Sequence, residues 1–346
     1  MNDAITWIDS HAHLDLEEFT GDGVLTAVLR RAAQAGTLGV ILPAIDAASL
    51  ERILRIIGTR NDPDLAERMD TERTDGTASD EPVQSLPMLW FATGIQPNST
   101  HQIHPDDGHD DDSPNDNPPD TGSPDVGNIP DTDGSRPAED WDRIVAAVHH
   151  PQCVAVGEIG LDDYWDFSPR SIQERWFRRQ LRLARRHDLP VLVHCRDQVD
   201  APTGTGDRLV AMMRDVAQET STTFRGPLRG VIHSFSGDAA LAEACLGLGF
   251  FLSFSGVVTY SNRKFDALRD VVRSVPADRL LVETDSPYLT PSPLRGKAPV
   301  NEPAFIIHTL NRLASLRGTD PAELAAQIRE NTRQLFRLAV ATCNCE

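Results

Sequence analysis

PVLVHC, residues 190–195, is a run of apolar and β-branched side chains that ends on a histidine and a cysteine. It is too short and too continuously apolar for an amphipathic helix, and its length suits a strand buried on both faces. Seven further runs of this kind occur: AITWID (4–9), LGVILPA (38–44), LWFATGI (89–95), CVAVGEIG (153–160), RGVIHSF (229–235), GFFLSFSG (249–256) and RLLVETDSP (279–287). Between them lie segments with helical spacing of apolar residues, at 24–36, 171–188, 206–219, 239–249 and 264–275. Two more, near 302–317 and 321–341, close the chain. Strands alternating with helices imply parallel βαβ units. Eight units predict an α/β fold, a (β/α)8 TIM-type barrel. Setting aside the acidic segments 61–85 and 101–140 leaves 281 residues, against about 250 for such a barrel. The expected organisation is one domain over residues 1–346 with these two segments as acidic insertions, the second disordered.

Composition narrows the function. The net charge is −19, which argues against a generic nucleic-acid-binding surface. The charge is concentrated. Residues 101–140 carry twelve acids and one base, and residues 61–85 carry eight acids and two bases, so about −2 remains for the body. The stretch HPDDGHDDDSPNDNPPD (104–120) lacks the glycine and terminal glutamate spacing of an EF-hand loop and reads as solvated. The five cysteines include no CxxC pair and suit a reducing compartment. The first residues, MNDAITWIDSHAHLD, do not read as a signal peptide, and no apolar run is long enough to span a membrane. The expectation is a cytoplasmic protein with no membrane association and no stable protein partner.

In such a barrel, chemistry sits at the C-terminal ends of the strands. The polar residues found there are His11 and His13 after the first strand, Glu158 after the fourth, His194 after the fifth, His233 after the sixth and Asp285 after the eighth. Residues two apart in an extended chain point the same way, so His11 and His13 can face one ion. Alone the pair says little, because eleven histidines produce an H-x-H by chance in about a third of such chains. Glu158 stands in an apolar strand, where a carboxylate needs a compensating cation or an arginine or lysine partner. Of Glu283 and Asp285, one is expected to face the mouth and the other the helix layer; Asp285, nearer the strand end, is the chosen donor, and Glu283 is assigned a structural role. Four histidines and two carboxylates at one mouth make a donor set for a pair of divalent cations, with Mg, Mn, Zn and Co not distinguishable by residue type. His149, His150, His187 and His308 fall at or within helices and are read as structural.

WIDSHAHLD, PVLVHCRD and SVPADRLLVETDSP resemble the signature stretches of the TatD-like metal-dependent deoxyribonucleases, within the amidohydrolase-type barrel hydrolases. LLVETDSPYLTP, and RGK followed by NEPAF, carry the same resemblance. It implies hydrolysis of DNA phosphodiester bonds, often from a 3′ end, with single strands or 3′ ends as substrate. It also implies that His11, His13 and Asp285 hold one metal, His194 and His233 the other, and that Glu158 bridges them. Asp285 and Glu158 are then the catalytic carboxylates, Asp285 as the base that takes a proton from the attacking water. Arg196, Arg295 and Lys297 are candidates to offset phosphate charge. The chain departs from the family at TGIQP, where Gln96 replaces a histidine; glutamine can still donate a hydrogen bond to phosphate. It departs also in the spacer APV between RGK and NEP, and in Gln198 and the loop APTGTGD. Two other readings stand beside this one. A barrel hydrolase of another ester or amide, such as an aminoacyl-tRNA ester, fits the same scaffold, although relatives of that kind commonly place a carbamylated lysine where Glu158 stands. A non-catalytic binder predicts lost donors, and all six are present.

Overall fold

The computed structural model describes residues 5–61, 85–102, 137–165, 167–198 and 203–339. The acidic segments expected at 61–85 and 101–140 fall almost wholly outside these residues, as do Cys343 and Cys345.

Eight parallel strands follow one another around a sheet in the order of the chain. They are β1 (Trp7–Asp9), β2 (Thr37–Pro43), β3 (Met88–Thr93), β4 (Cys153–Asp162), β5 (Val191–Arg196), β6 (Gly230–Ile232), β7 (Phe251–Phe254) and β8 (Leu280–Val282). The last strand returns to the first. Ser10 N donates to Val282 O at 3.3 Å, Asp285 N to His11 O at 2.9 Å and His13 N to Ser286 O at 2.8 Å. Those contacts close the barrel at the end where the candidate donors lie.

Nine helices among the described residues alternate with the strands or follow them: α1 (Val24–Ala35), α2 (Ala47–Asn61), α3 (Pro137–Ala147), α4 (Arg170–Arg186), α5 (Thr205–Gln218), α6 (Ala239–Gly247), α7 (Asp266–Ser274), α8 (Ile306–Arg317) and α9 (Pro321–Phe336). Their boundaries have local causes. Gly36 stops α1 at φ 111°, and a Cβ there would meet Ile5 O at 2.4 Å, so only glycine makes this turn into β2. Asp320 caps α9 by accepting from Ala322 N and Glu323 N, with Pro321 at the first helical position. The expected extension of this helix to 341 stops at Phe336, because Arg337 turns left-handed at φ 53°.

Two apolar layers hold the barrel. Outside it, the inward stripe of α4, Trp176, Phe177, Leu181 and Ala184, is buried with its counterparts on the other helices. Phe177 and Leu181 each contribute about 1.5–3 kcal/mol by leaving water. Inside, the lower end is filled by Ile8, Ile41, Trp90, Val154, Leu192, Val231 and Leu281, closed by Leu335, Phe336 and Leu338. Two glutamines on the buried stripe of α4 serve the opposite end. Gln180 bonds Ile95 N and O at 2.7 and 3.1 Å, and Gln173 bonds Asp162 N and O at 2.9 Å each. Their amides replace missing ladder partners where β3 and β4 end, and so fix the chain at the mouth.

Candidate metal centre

β4 pairs with β5 so that Gly160 faces His194 and Asp162 faces Arg196, but the register shifts between Val156 and Ile159. Glu158 sits in that irregularity, which re-aims its side chain. Gly160 has φ 144°, and a Cβ there would lie 1.9 Å from His194 O, so glycine is required for β5 to come this close.

The two carboxylate oxygens of Glu158 face different histidine pairs. Oε2 lies 3.6 Å from both His11 Nε2 and His13 Nε2. Oε1 lies 2.8 Å from His194 Nδ1 and 3.2 Å from His233 Nε2. Within the pairs, His11 and His13 approach Nε2 to Nε2 at 3.0 Å, and His194 Nδ1 lies 3.1 Å from His233 Nε2. Asp285 Oδ1 completes the first group at 3.6 Å from each of the His11 and His13 nitrogens. These partners of Glu158 are histidines, not the lysine or arginine of an ordinary buried ion pair.

The donor set fits divalent cations. A cation held at about 2.0–2.1 Å by nitrogen or oxygen sets neighbouring donors roughly 3.0–3.4 Å apart. The spacings above run from 3.0 to 3.6 Å in the first group and from 2.8 to 3.2 Å in the second. A single N–H···N hydrogen bond accounts for the 3.0 Å between His11 and His13, so the sign of a cation is that both rings also converge on Glu158 Oε2 and Asp285 Oδ1.

Other carboxylates choose which nitrogen faces inward. Asp162 Oδ2 takes His194 Nε2 at 3.0 Å, leaving Nδ1 toward Glu158. Glu283 Oε1 lies 3.3 Å from His233 Nδ1, leaving Nε2 toward Glu158. The two histidines thus present opposite ring atoms because opposite ring atoms are held behind them. Glu283 also accepts from Ser234 N at 2.6 Å. Asp9 braces the seam between β1 and β8, accepting from His11 N, Thr284 N and Thr284 Oγ1.

Protonation follows this arrangement. Burial lowers His11 and His13, and the charge of His233 presses His11 down further. Burial also opposes charge on His194 and His233, yet carboxylates win at both. Hydrogen bonds donated to Asp162 and Glu158 raise His194 to about 9. The charges and hydrogen bonds of Glu158 and Glu283 hold His233 well above its usual range. For Glu158 burial raises the carboxyl, but His233 and His194 hold it well below the carboxylate range. Asp285 goes the other way, pushed to about 8 by burial, with Glu283 and Glu158 adding to the rise.

All six donors expected from the sequence therefore meet at one end of the barrel. One expectation is corrected. Neither Glu283 nor Asp285 faces the helix layer. Glu283 is fully buried beside His233, while Asp285 lies past the strand in a left-handed turn at φ 58°, which carries it to the other histidine pair. The four expected substrate contacts lie outside the donor cluster. Gln96 is half-buried, its backbone N–H on Ile45 O at 3.0 Å. Arg196 and Arg295 are exposed and lie over tyrosine rings, Tyr164 at 3.8 Å and Tyr260 at 4.3 Å. Lys297 is exposed in the loop after β8. Asp162 and Asp9 were missed. Both had a signal: Asp162 stands four residues beyond Glu158 on β4, and Asp9 ends β1 two residues before His11.

Comparison with known proteins follows the geometry. A family model described as TatD related DNase matches residues 8–337. A 3'-5' ssDNA/RNA exonuclease TatD of Erwinia tasmaniensis is 36% identical over 208 residues, 58% of this chain and 74% of that one. An uncharacterized metal-dependent hydrolase of Bacillus subtilis, YabD, is 38% identical over 189 residues, 55% of this chain and 67% of that one. The crystal structure of the Escherichia coli TatD homolog YJJV superposes with a TM-score of 0.68 at 26% identity, covering 97% of this chain and all of the other. With a match running from β1 to the end of α9, this chain belongs to the TatD related DNase family of metal-dependent hydrolases.

Proposed function

We propose that this protein hydrolyses phosphodiester bonds of single-stranded nucleic acid from the 3′ end, using two divalent cations at the mouth of the barrel. His11, His13 and Asp285 are assigned to one cation, His194 and His233 to the other, and Glu158 to both. The observation that carries this reading is the split of the Glu158 carboxylate, with Oε2 on one histidine pair and Oε1 on the other. The direction and strand preference are supported by the name of the relative that is 36% identical.

Bound there, two divalent cations supply Lewis acidity and make a water acidic enough to attack phosphorus at neutral pH. The chain's own groups do the rest. Asp285, whose Oδ1 faces the first histidine pair, is assigned to accept the proton of the attacking water and to return it to the leaving oxygen. Asp162 and Glu283 keep the rings of His194 and His233 turned toward Glu158. Gln96, Arg196, Arg295 and Lys297 are assigned to the substrate strand outside the donor cluster. Glu158 on β4 takes the place where a carbamylated lysine would serve an amidohydrolase, and this favours phosphodiesters over amides. We also assign the chain to one barrel domain with acidic insertions at 61–85 and 101–140. We place it in the cytoplasm, in keeping with Cys153, Cys195 and Cys245 as free thiols. Among the described residues no helix is long and apolar enough to cross a membrane.

The test is a substrate panel. With Mg²⁺, Mn²⁺, Zn²⁺ or Co²⁺ added, the purified chain should shorten a 5′-labelled single-stranded oligonucleotide one nucleotide at a time. No cleavage of DNA or RNA with any of the four, together with hydrolysis of small carboxylic esters or amides, would overturn it.

A further inference from the structure

Six large apolar side chains are exposed among the described residues, and three of them, Tyr164, Trp165 and Phe167, fall within four positions directly after β4. They are 42%, 45% and 59% exposed. Large aromatic rings left in water at one place mark a surface that something covers.

The rings are ordered by the donor cluster itself. Asp162 uses Oδ2 on His194 Nε2 and Oδ1 on the backbone N–H groups of Tyr164 and Trp165, at 2.8 and 3.1 Å. One carboxylate thus positions both a histidine of the cluster and the turn that carries the aromatics. Trp165 stacks on Phe167 with ring centroids 5.5 Å apart and planes at 22°, while Tyr164 meets Trp165 edge-on at 4.9 Å. The guanidinium of Arg196, two residues after His194, lies 3.8 Å over the Tyr164 ring and 5.8 Å from Trp165. The sequence presented Arg196 as a phosphate contact alone, and the structure makes it part of an aromatic surface.

We propose that Tyr164, Trp165, Phe167 and Arg196 form a stacking platform for the bases of a single strand whose backbone enters the donor cluster. The chemistry of the patch selects this occupant. Flat rings beside a planar cation match nucleobases, which stack on aromatic faces and on guanidinium, while the cation meets the neighbouring phosphate. A platform of this kind grips any base, because every base has a π face, and it needs the bases unpaired. It therefore makes the enzyme selective for single strands and indifferent to their sequence. This inference rests on the phosphodiesterase reading above.

The experiment compares the full-length, cation-loaded wild type with Trp165→Ala, Phe167→Ala and Trp165→Phe. The substrates are a single-stranded oligonucleotide and the same strand with abasic sites at its last three 3′ positions. Fluorescence anisotropy of both strands is measured alongside cleavage. Each alanine variant should raise KM and Kd for the ordinary strand about 5- to 100-fold, with a much smaller change in kcat. Trp165→Phe should recover most of the loss. On the abasic strand, wild type and variants should converge, because there is no base to stack. Exposed rings are unnecessary for folding, so thermal unfolding serves as a control on all three variants. If wild type cleaves normally and both alanine variants keep its KM and Kd on the ordinary strand, the platform is wrong and the phosphodiesterase reading survives. If wild type neither cleaves nor binds any oligonucleotide, the phosphodiesterase reading fails and takes the platform with it.

Discussion

The two ends of the barrel interior are made by the same strands and behave as opposites. β5 carries Leu192 below and His194 above, while Val231 of β6 is followed two residues on by His233 and Leu281 of β8 by Glu283, each just past its strand. The members of each pair are two residues apart, so they share a side of the strand. The lower members pack against Trp90 and the end of α9 in a dry plug. The upper members join histidines and carboxylates whose burial costs free energy unless something neutralises them. A rise of one residue pair along a strand separates the part that stabilises the fold from the part that performs the chemistry. The difference teaches that the donor cluster is carried by the packing below and behind it and contributes little to folding by itself.

The sharpest way to break this division is to exchange the outcomes. Glu158→Ala should leave the unfolding transition nearly intact and lower oligonucleotide cleavage by at least about a thousandfold, since both cation groups lose a shared donor. Leu192→Ala should do the reverse, costing about 2–5 kcal/mol of stability by the cavity it opens in the plug while retaining the donors. Denaturant titration and steady-state kinetics on both proteins check the pair. A Glu158→Ala protein as unstable as Leu192→Ala would show that the upper cluster is structural after all.

A smaller effect is expected behind the donors. Asp162→Asn and Glu283→Gln keep size and lose charge, and each should weaken cation affinity or cleavage about 10- to 100-fold. Competition with a chromophoric chelator reads this directly, and an unchanged affinity in both variants would remove their orienting role.

The protonation of the metal-free cluster gives a pH test with a definite sign. His194, raised to about 9, and His233, held higher still than a free histidine, carry protons at pH 7. A cation must displace them, so binding at the second group releases protons and strengthens as pH rises toward 9. Calorimetry in buffers of different ionisation enthalpy should show net proton release, with affinity falling about tenfold for each unit the pH is lowered, per proton displaced. Binding independent of pH between 6 and 9 would contradict the arrangement.

The smallest expected effect concerns the acidic insertion. Removing residues 106–136 deletes ten acids and one arginine, at a position between β3 and α3. Because the repulsion acts mostly within a Debye length of about 8–10 Å, affinity for oligonucleotides should rise a few-fold at low salt and merge with wild type at high salt. Equal affinity at both would make the segment an inert one.

Much of this architecture was legible in the sequence for a simple reason. A strand buried on both faces is apolar almost throughout, so the residue that ends the run, His194 after PVLV or His233 after GVI, stands out. The supporting shell was less legible. Gln173 and Gln180 lie on the apolar stripe of α4 and look like interruptions of it until their backbone partners at Asp162 and Ile95 are seen. Asp162 ends a glycine-containing strand whose register shift hides its phase. The left-handed turn at Asp285 cannot be read from periodicity, which is why Glu283 was assigned to the helix layer and in fact stands behind His233. Arg196 could be recognised as a cation, but its stacking on Tyr164 depends on two strands meeting.

The central claim is that the Glu158 carboxylate joins two cation sites. The most direct measurement is the number of divalent cations retained per chain after equilibration with Mn²⁺ or Zn²⁺ and removal of the free ion, in wild type and in Glu158→Ala. The account predicts two per wild-type chain and loss of tight binding at both sites in the variant. A wild-type chain that retains none, or a Glu158→Ala chain that still retains two as tightly, would contradict it.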